Sequence, residues 1–473
     1  MISDEPHYVN EKPPAPPAFC YNIGKMLKIG ISGVRGIVGT SMTPTLVMDF
    51  ASAFGAFVDR KPVVVGRDTR IHGPMLRSAC VSALLSSGCD VVDLGVCPTP
   101  IIQKTVRRFK AGGGVAITAG HNDIEWNALT FIGPDGASLN PFQGQEVLDH
   151  YHLGNFDKVK TDDLGQLSVP PESEAIEPYF AELAKWIDAA AIRAARFKIV
   201  IDACSGAAAA FLNPFADALG IDLIPINNEP NGFFPHDPEP RPRNAAQTVS
   251  VVRAIGADAG FLLSSDAGRV SLVSETAEAL SEEFTFPLIA DAVLAGCSGP
   301  VVTTYSTSRM IEDVARAHHC PLIRTRVGPA HVFLAVGQEE AVLAGEGSGA
   351  VALTAFHPAF DSFLSMGLVL QTMARTGKRL SALIGQLPRY HIVKEKVYCP
   401  PSRIHGVIGE LAKGFHGRDI DTGDGLRAED KDGWVQVRTS GTEPMLRIIA
   451  EDRSKERARA KVDKILQAVE MMI

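Results

Sequence analysis

Residues 61–94, KPVVVGRDTRIHGPMLRSACVSALLSSGCDVVDL, contain the pattern that decides the fold. Lys61 to Val65 is a short apolar run that predicts a strand, Met75 to Leu85 has helical periodicity, and Cys89 to Leu94 predicts a second strand. Two strands joined by a helix form a parallel crossover unit, because antiparallel neighbours need only a short turn. The stretch therefore predicts an α/β layered domain.

The segment before this unit adds a strand, a glycine-spaced turn and a capped helix. A strand is expected at Leu27 to Gly30, followed by the turn ISGVRGIVG. Thr43 and Pro44 then begin a helix, since threonine caps helix N-termini and proline is tolerated at the first helical position. Residues 1–25 are expected to form a tail that lacks the charged-then-apolar order of a signal peptide.

The same alternation of strand and helix recurs further along the chain. Strands are expected at Phe197 to Asp202, at Ala257 to Leu263 and at Val301 to Thr304, each followed by a turn or helix. The proline-rich stretch 234–243 between them is expected to be neither helix nor central strand. These repeats predict two further α/β units.

The C-terminal part has a different order of elements. Trp434 to Arg438 and Leu446 to Ala450 predict two adjacent strands, and Ser454 to Ile473 predicts an amphipathic helix. The predicted architecture is three α/β repeat domains with mixed sheets and a smaller C-terminal α+β domain. The expected boundaries are 1–25 for the tail, 26–165 for domain 1, 166–278 for domain 2, 279–388 for domain 3 and 389–473 for domain 4.

Composition excludes several classes of function. The 473 residues include 46 Lys and Arg against 54 Asp and Glu, so the net charge of −8 gives no basic surplus for nucleic acid. No apolar run reaches the roughly 18 residues of a membrane helix, so no membrane partner is expected. The eight cysteines form no CxxC pair, which favours reduced core thiols in a cytoplasmic protein.

The sharpest local signal is the segment RTSGTEP at residues 438–444, which lies between the two C-terminal strands. Its guanidinium, hydroxyls and glycine-freed backbone N–H groups predict a compact cradle for an anion such as phosphate. A plain polar hairpin with an incidental arginine is the alternative. The cradle residues are Arg438, Thr439, Ser440, Gly441 and Thr442.

Three other loops follow apolar strands. They read TAGHN at 118–122, SSDAGR at 264–269 and GEGSG at 345–349. Open α/β sheets bind their ligands at the carboxyl ends of strands, so these loops are candidate ligand contacts. None of the three is specific by itself.

The order of these motifs resembles that of the α-D-phosphohexomutase family. ISGVRG, GRDTR, TAGHN with EWNAL, SDAGR, GEGSG and RTSGTEP occur in the family's order, and the resemblance covers residues 27–473. It implies four domains around one deep cleft and an isomerase that moves phosphate between C1 and C6 of a hexose or hexosamine. EWNAL and KIGISGVRG are most similar to bacterial phosphoglucosamine and phosphomannose mutases.

Two loops depart from the family's pattern at the positions of its chemistry. Active members read TASHNP, where the serine carries the transferable phosphate; Gly120 stands there and offers no nucleophilic atom. The family's DGDGDR or DGDADR loop holds Mg²⁺ with three aspartates, whose places are taken here by Ser264, Asp266 and Gly268. One carboxylate and a hydroxyl are a poor site for a hard divalent ion, so no cofactor is expected.

Two further residues differ from the family's pattern, whereas the residues expected to contact the ligand are retained. Thr130 replaces a lysine that the family resemblance assigns to proton transfer, and Ala350 replaces the histidine that ends GEQSGH. The residues retained from the family's cleft are Arg35, which in the family faces the phosphoserine, His121, Asn122, Arg269, the sugar-contact pair Glu346 and Ser348, and the 438–444 cradle. The resemblance thus implies that ligand contacts survive where phosphoryl-transfer groups are lost.

Three functional hypotheses follow. The first is a protein that binds a hexose or hexosamine phosphate without conventional mutase activity, acting in regulation, in sensing, as a homodimer, or beside an active mutase. The second is a divergent active enzyme that uses His121 as a phosphoryl acceptor, uses a bound sugar bisphosphate, or catalyses another reaction on the same substrate. The third is a structural subunit without a ligand, which the RTSGTEP segment disfavours.

Overall fold

The computed structural model describes residues 27–154, 156, 158–415, 419–440 and 445–473. The expected tail and the cradle residues Gly441 and Thr442 lie outside these ranges. Within them the chain forms four sheets of seven, four, four and five strands, one for each domain. The predicted fold class, three α/β repeats with mixed sheets and a C-terminal α+β domain, is confirmed.

Domain 1 is built on the seven-stranded sheet. Its strands are β1 (Leu27–Gly30), β2 (Gly33–Ile37), β3 (Val63–Arg67), β4 (Val91–Val96), β5 (Gly113–Ile117), β6 (Trp126–Ile132) and β7 (Leu167–Ser168), and its helices are α1 (Pro44–Phe57), α2 (Gly73–Ser86), α3 (Thr99–Arg108) and α4 (Pro141–Leu153). The crossover β3–α2–β4 is parallel, as predicted. The hydroxyl of Thr43 accepts the amide of Leu46 and caps α1, which confirms the expected helix start.

Strand β7 lies just beyond the boundary expected between residues 165 and 166. It pairs in parallel with β4 and so extends the sheet of domain 1. Both of its residues are exposed, which means that the free edge of β4 selects the pairing rather than burial of the side chains.

Domains 2 and 3 repeat the arrangement on four-stranded sheets. Domain 2 contains α5 (Glu172–Ala175), α6 (Glu177–Trp186), α7 (Ala189–Ala195), β8 (Lys198–Asp202), α8 (Leu212–Leu219), β9 (Asp222–Ile226), α9 (Ala246–Ile255), β10 (Ala259–Leu263) and β11 (Val270–Ser274). Domain 3 contains α10 (Thr285–Leu294), β12 (Val301–Thr304), α11 (Met310–Ala317), β13 (Leu322–Thr325), α12 (Pro329–Gln338), β14 (Leu343–Glu346), β15 (Ala350–Leu353), α13 (Ser362–Thr376) and α14 (Leu380–Ile384). In the 234–243 connection, only Pro242–Asn244 forms a short 3-10 turn.

The three α/β domains place one loop in an equivalent position. In each, a strand with a parallel neighbour turns back into an antiparallel strand: β5 into β6, β10 into β11, and β14 into β15. The TAGHN, SSDAGR and GEGSG loops occupy these three turns. The repeated topology therefore presents the three candidate loops at the same end of three sheets.

Domain 4 is an antiparallel sheet with two helices. Its elements are β16 (His391–Tyr398), α15 (Ile404–Lys413), β17 (Asp419–Asp421), β18 (Leu426–Glu429), β19 (Gly433–Thr439), β20 (Met445–Asp452) and α16 (Lys455–Met472). The two predicted strands are β19 and β20, and they pair directly. The predicted final helix is α16, which Ser454 caps by accepting the amide of Arg457.

The hydrophobic core joins domains 1 to 3 and leaves domain 4 with its own. One cluster of buried side chains runs from Ile101 of domain 1 through Phe215 of domain 2 to Phe363 of domain 3. Domain 4 has a separate cluster and meets domain 3 through polar contacts such as Arg309 to Glu429 at 2.7 Å. In the part of the chain that the structure describes, none of the helices combines the length and apolarity needed to cross a bilayer.

Candidate functional site

The loops of domains 1 and 2 face each other at Gly120. This residue has a φ of +54°, a left-handed conformation that glycine adopts without strain. A Cβ atom placed on Gly120 would lie 3.0 Å from Oδ2 of Asp266. The structure thus brings together two positions, 146 residues apart in sequence, that the resemblance assigns to the phosphoserine and the metal.

The SSDAGR loop holds the Asp266 carboxylate in a fixed orientation. The Ser264 hydroxyl and the Gly268 amide donate to Oδ1 of Asp266 at 2.7 and 3.1 Å. The Arg269 amide donates in turn to the Ser264 hydroxyl at 3.1 Å. The hydroxyl and amide that the loop offers are therefore already engaged within it.

These groups do not fit a Mg²⁺ site of the family's kind. Of the three positions that would supply carboxylates, only Asp266 carries one. Across the described ranges, no three His, Cys, Asp or Glu side chains converge in a way that could hold a metal ion. A hard divalent cation needs more charged oxygen ligands than this loop supplies.

Arginine side chains lie near Gly120 and the adjoining His121. Nη1 of Arg35 donates to Oδ1 of Asn122 at 2.6 Å, which directs the guanidinium along the TAGHN loop. Burial and the charge of Arg269 lower the pKa of Arg35 to about 10. Burial, followed by the charges of Arg269 and Arg35, also holds the pKa of His121 well below its usual value. His121 is therefore neutral near pH 7, beside cations that favour an anion.

The GEGSG loop positions the retained sugar-contact pair. Glu346 is buried at the end of β14, where Oε1 accepts the Gly328 amide at 3.3 Å and Oε2 accepts the Ser348 hydroxyl at 3.3 Å. Nη2 of Arg269 lies 4.0 Å from Oε2 of Glu346. This contact links the loops of domains 2 and 3 directly.

The described part of the cradle is the end of β19. Arg438 donates to the Thr439 carbonyl at 3.3 Å, and its Nε lies 4.0 Å from the Asp424 carboxylate. Burial lowers the pKa of Arg438, an effect that Asp424 and Glu346 oppose. The Ser440 amide donates to the Met445 carbonyl at 2.9 Å, which starts the return into β20. The charge of Glu346 in domain 3 thus acts on the guanidinium of Arg438 in domain 4.

Two departures outside the loops add no titratable group. Thr130 lies on β6 opposite Gly33 of β2, and Ala350 is fully buried at the start of β15. The family's lysine is therefore replaced by a half-buried threonine on a strand that is otherwise buried, and its histidine by a buried alanine directly after the GEGSG loop.

Arg70 is a site residue to which the sequence alone assigns no role. Its fully buried guanidinium pairs with Asp68 and donates to the Gly120 carbonyl at 3.1 Å and to the Ser265 hydroxyl at 3.2 Å. The available signal is the GRDTR motif, in which charged residues directly follow a buried strand. Burial of such charges requires partners, and the loops of domains 1 and 2 supply them.

A second unexpected cluster ties the 234–243 connection to domain 2. Nε2 of His236 lies 3.3 Å from Oδ2 of Asp202, at the end of β8. The Asn227 amide and the Thr248 hydroxyl also donate to this carboxylate at 3.0 and 3.1 Å. Burial opposes the imidazolium charge, but hydrogen bonds and charge interactions with Asp202 and Cys204 together outweigh it and raise the pKa of His236 to about 11.

His236→Gln is expected to destabilise the protein most at mildly acidic pH. A raised folded-state pKa gives stability that is complete below the unfolded value near 6.5 and disappears as the pH rises through about 11. In urea denaturation, the free energy of unfolding of His236→Gln should be lower than that of the unaltered protein by roughly 1–3 kcal/mol at pH 6. The difference should be smaller at pH 9. His331→Gln is the control, because burial lowers the pKa of His331 and the pH trend should reverse. Equal losses for His236→Gln at both pH values would contradict the assignment.

Gly120→Ser is expected to strain the loop without creating a mutase. The backbone of the new serine would have to keep a positive φ, which strains residues other than glycine. Its Cβ atom would also lie only 3.0 Å from the Asp266 carboxylate. The free energy of unfolding should fall by about 1–2 kcal/mol in thermal or urea denaturation. Gly154→Ser is the matched control, since Gly154 has a φ of +60° with open space around it. Robust turnover of hexose phosphates by Gly120→Ser alone would show that the other losses matter little.

Known proteins match this chain along its length. Sequence profiles for phosphoglucomutase/phosphomannomutase match as alpha/beta/alpha domain I at 26–157, domain II at 177–277, domain III at 282–390 and the C-terminal domain at 395–468. A phosphoglucomutase/phosphomannomutase of Thermococcus kodakarensis is 36% identical over 446 residues, 92% of this chain and 96% of that protein. A probable phosphoglucosamine mutase of Methanopyrus kandleri is 35% identical over 93% of this chain and 97% of its own.

Solved structures show the same arrangement of domains. A phosphoglucomutase/phosphomannomutase family protein of Burkholderia thailandensis superposes with a TM-score of 0.81 at 23% identity, covering 95% of this chain and 98% of that one. A putative phosphomannomutase of Thermus thermophilus gives 0.79 at 25% identity, covering 94% and 100%. With all four domain profiles in order and relatives this similar over nearly its whole length, the chain belongs to the phosphoglucomutase/phosphomannomutase family, the α-D-phosphohexomutases.

Proposed function

We propose that this protein binds a hexose or hexosamine phosphate and lacks the serine-based phosphoryl transfer of a conventional phosphohexomutase. The observation that carries the proposal is Gly120, which faces Asp266 at the junction of two domains and has no atom that could carry a phosphoryl group. The retained arginines and the Glu346–Ser348 pair keep groups suited to a phosphate and to sugar hydroxyls.

The ligand class is supported by the relatives and by the charges of the cleft. The relatives' names refer to glucose, mannose and glucosamine phosphates. Arg35 belongs to domain 1, Arg269 to domain 2 and Arg438 to domain 4, and Arg269 lies 4.0 Å from Glu346 of domain 3. Guanidinium groups form charge-assisted hydrogen bonds with phosphate oxygens, so cations supplied by three domains suit a phosphorylated sugar.

Phosphoryl transfer needs more than such binding. Charge on the transferring group must be neutralised while the phosphoryl unit passes between two oxygens, and active enzymes combine positioning groups with a metal for this. Here the nucleophile and two carboxylates are replaced by Gly120, Ser264 and Gly268. All of the replaced groups serve phosphoryl transfer, whereas the residues that we expect to contact the ligand are kept.

A divergent active enzyme is the second candidate, and one observation favours it. His121 directly follows Gly120 and is neutral near pH 7, because burial and nearby arginines lower its pKa. A neutral imidazole is nucleophilic and can accept a phosphoryl group. The same cations would stabilise the phosphate that it carried.

One experiment separates the candidates. Thermal shifts and calorimetry of the full chain with glucose, mannose and glucosamine phosphates test binding, and ligand at a hundred times its dissociation constant should add about 2.7 kcal/mol. Turnover is assayed in parallel with added sugar bisphosphate. Binding without turnover supports the proposal. Turnover that His121→Ala abolishes supports the divergent enzyme, and no shift at millimolar ligand supports a structural subunit.

Magnesium is expected to have no effect on this protein. Asp266 is the one carboxylate at the three metal positions, and its Oδ1 already accepts two hydrogen bonds within the loop. Millimolar Mg²⁺ should therefore change neither the melting temperature nor the affinity for phosphosugars, whereas the triple-aspartate variant Ser264→Asp/Gly268→Asp should respond. A Mg²⁺-dependent rise in the melting temperature of the unaltered protein would contradict this.

The proposal keeps the cytoplasmic location expected from the cysteines. Six of the cysteines in the described ranges are buried free thiols and Cys297 is an exposed one, which suits a reducing compartment.

A further inference from the structure

The SSDAGR loop differs from the family's motif at a third position besides Ser264 and Gly268, namely Ser265. In DGDGDR and DGDADR the residue after the first aspartate is glycine, and here it is a serine. We propose that Ser265 and Arg70 form a positioning pair that ties the Gly120 loop of domain 1 to domain 2 and thereby orients Arg35 toward the ligand. The ligand part of this inference rests on the proposed function.

The pair closes a triangle of hydrogen bonds across the domain boundary. The Ser265 hydroxyl donates to the Gly120 carbonyl at 2.7 Å. Arg70 donates to the same carbonyl from Nη2 at 3.1 Å and to the Ser265 hydroxyl from Nη1 at 3.2 Å. All three residues are buried, so water does not compete for these bonds and each contributes more than it would on the surface.

Arg70 is itself fixed from the domain 1 side. Its guanidinium pairs with Asp68, whose carboxylate also accepts the Thr118 hydroxyl at 2.6 Å. The Thr118 hydroxyl accepts the Gly120 amide at 3.0 Å. The ring of Phe234, on the 234–243 connection, lies 4.9 Å from the Arg70 guanidinium carbon. The backbone N–H and C=O of Gly120 are therefore both held.

The consequence for the ligand runs through Asn122. Arg70 also donates to the Asn122 carbonyl, and the Asn122 side chain accepts Nη1 of Arg35 at 2.6 Å. Fixing the backbone from Gly120 to Asn122 therefore fixes the guanidinium of Arg35, which is partly exposed at the cleft. Ser265 has no surface of its own to offer a ligand, so it acts as a positioning residue.

The pair joins the two loops that the resemblance assigns to the phosphoserine and to Mg²⁺. The Ser265 hydroxyl of the SSDAGR loop donates directly to the backbone carbonyl of Gly120 on the opposite loop. Two further bonds cross the same boundary, from the Thr69 hydroxyl to Ser205 at 2.8 Å and from the Thr99 amide to Asp266 at 3.0 Å. We therefore expect a local loosening rather than unfolding when Ser265 is replaced.

Hydrogen exchange of the ligand-free protein tests the brace itself. Ser265→Ala, and Ser265→Gly as the family's residue, should accelerate exchange in residues 118–122 about three- to tenfold, with other segments unchanged. Ser365→Ala is the matched control, since its buried hydroxyl donates to the Asp361 carbonyl at the same 2.7 Å within one helix. Unchanged exchange at 118–122 in both Ser265 variants would overturn the inference.

Calorimetry tests whether Ser265 acts through Arg35. The probe is whichever of glucose 6-phosphate, mannose 6-phosphate and glucosamine 6-phosphate binds the unaltered protein tightest. Ser265→Ala should weaken its binding about three- to tenfold and Ser365→Ala should not, whereas on an Arg35→Met background Ser265→Ala should add little. If Ser265→Ala weakened binding by the same factor with Arg35 present and on the Arg35→Met background, the positioning role would be overturned. If no probe binds, the proposed function fails, and the exchange data alone decide the brace.

Discussion

Arg70→Met should lower the free energy of unfolding by about 3–5 kcal/mol, the range for breaking a buried ion pair from one side. The substitution leaves Asp68, which is 1% exposed, as an uncompensated buried charge. It also removes the hydrogen bonds that Arg70 itself donates to the carbonyls of Gly120 and Asn122. Urea denaturation monitored by circular dichroism measures the loss directly.

Two variants sharpen the measurement. Arg70→Met combined with Asp68→Asn should recover part of the loss, because the amide keeps an acceptor for the Thr118 hydroxyl without a charge. Arg243→Met is the control, since Arg243 pairs with Asp237 and the side chains are 61% and 54% exposed, so it should cost at most about 1 kcal/mol. Similar losses for Arg70→Met and Arg243→Met would contradict the central place given to the Arg70 network.

Arg438→Ala should weaken hexose phosphate binding about a hundredfold, which corresponds to about 2.7 kcal/mol. The change removes the cation of the cradle and its charge-assisted hydrogen bonds to phosphate oxygens. Arg438→Lys keeps the charge without the planar fork and should lose about tenfold. Calorimetry with the same phosphosugar measures all three proteins.

The control for this series is Arg453→Ala. Arg453 is an exposed arginine of domain 4 whose guanidinium lies over the Tyr390 ring, so its loss removes the same charge without touching the cleft. The phosphosugar affinity of Arg453→Ala should stay within about twofold of that of the unaltered protein, because salt at physiological ionic strength screens a distant surface charge. If Arg438→Ala binds as tightly as the unaltered protein, the phosphate is held elsewhere.

Local sequence patterns account for most of the fold. The crossover at residues 61–94 is present as β3–α2–β4, with strand ends displaced by about two residues from the apolar runs. Helix α1 begins at Pro44 because Thr43 can cap it, a relation between neighbours in sequence. Strand β7 escapes such patterns, since two exposed residues carry no periodicity and pair only because β4 has a free edge.

The candidate site is predictable in part. The order of the motifs and the family resemblance predict that Gly120, Asp266, Glu346 and Arg438 belong to one site. They do not show that Ser265 reaches the Gly120 carbonyl, or that His236 pairs with Asp202 across 34 residues. These contacts depend on how whole domains meet, which no local pattern encodes.

The amino-acid sequence by itself determined which atoms are present: periodicity sets the strands and helices, and a glycine at 120 means no phosphoryl acceptor there. The tertiary structure decided what those atoms do to one another. Hydrogen bonds act within about 3 Å and charges within roughly a Debye length, so the Arg70 network and the lowered pKa of His121 arise from residues distant in the chain. Proximity of that kind exists only once the domains have packed.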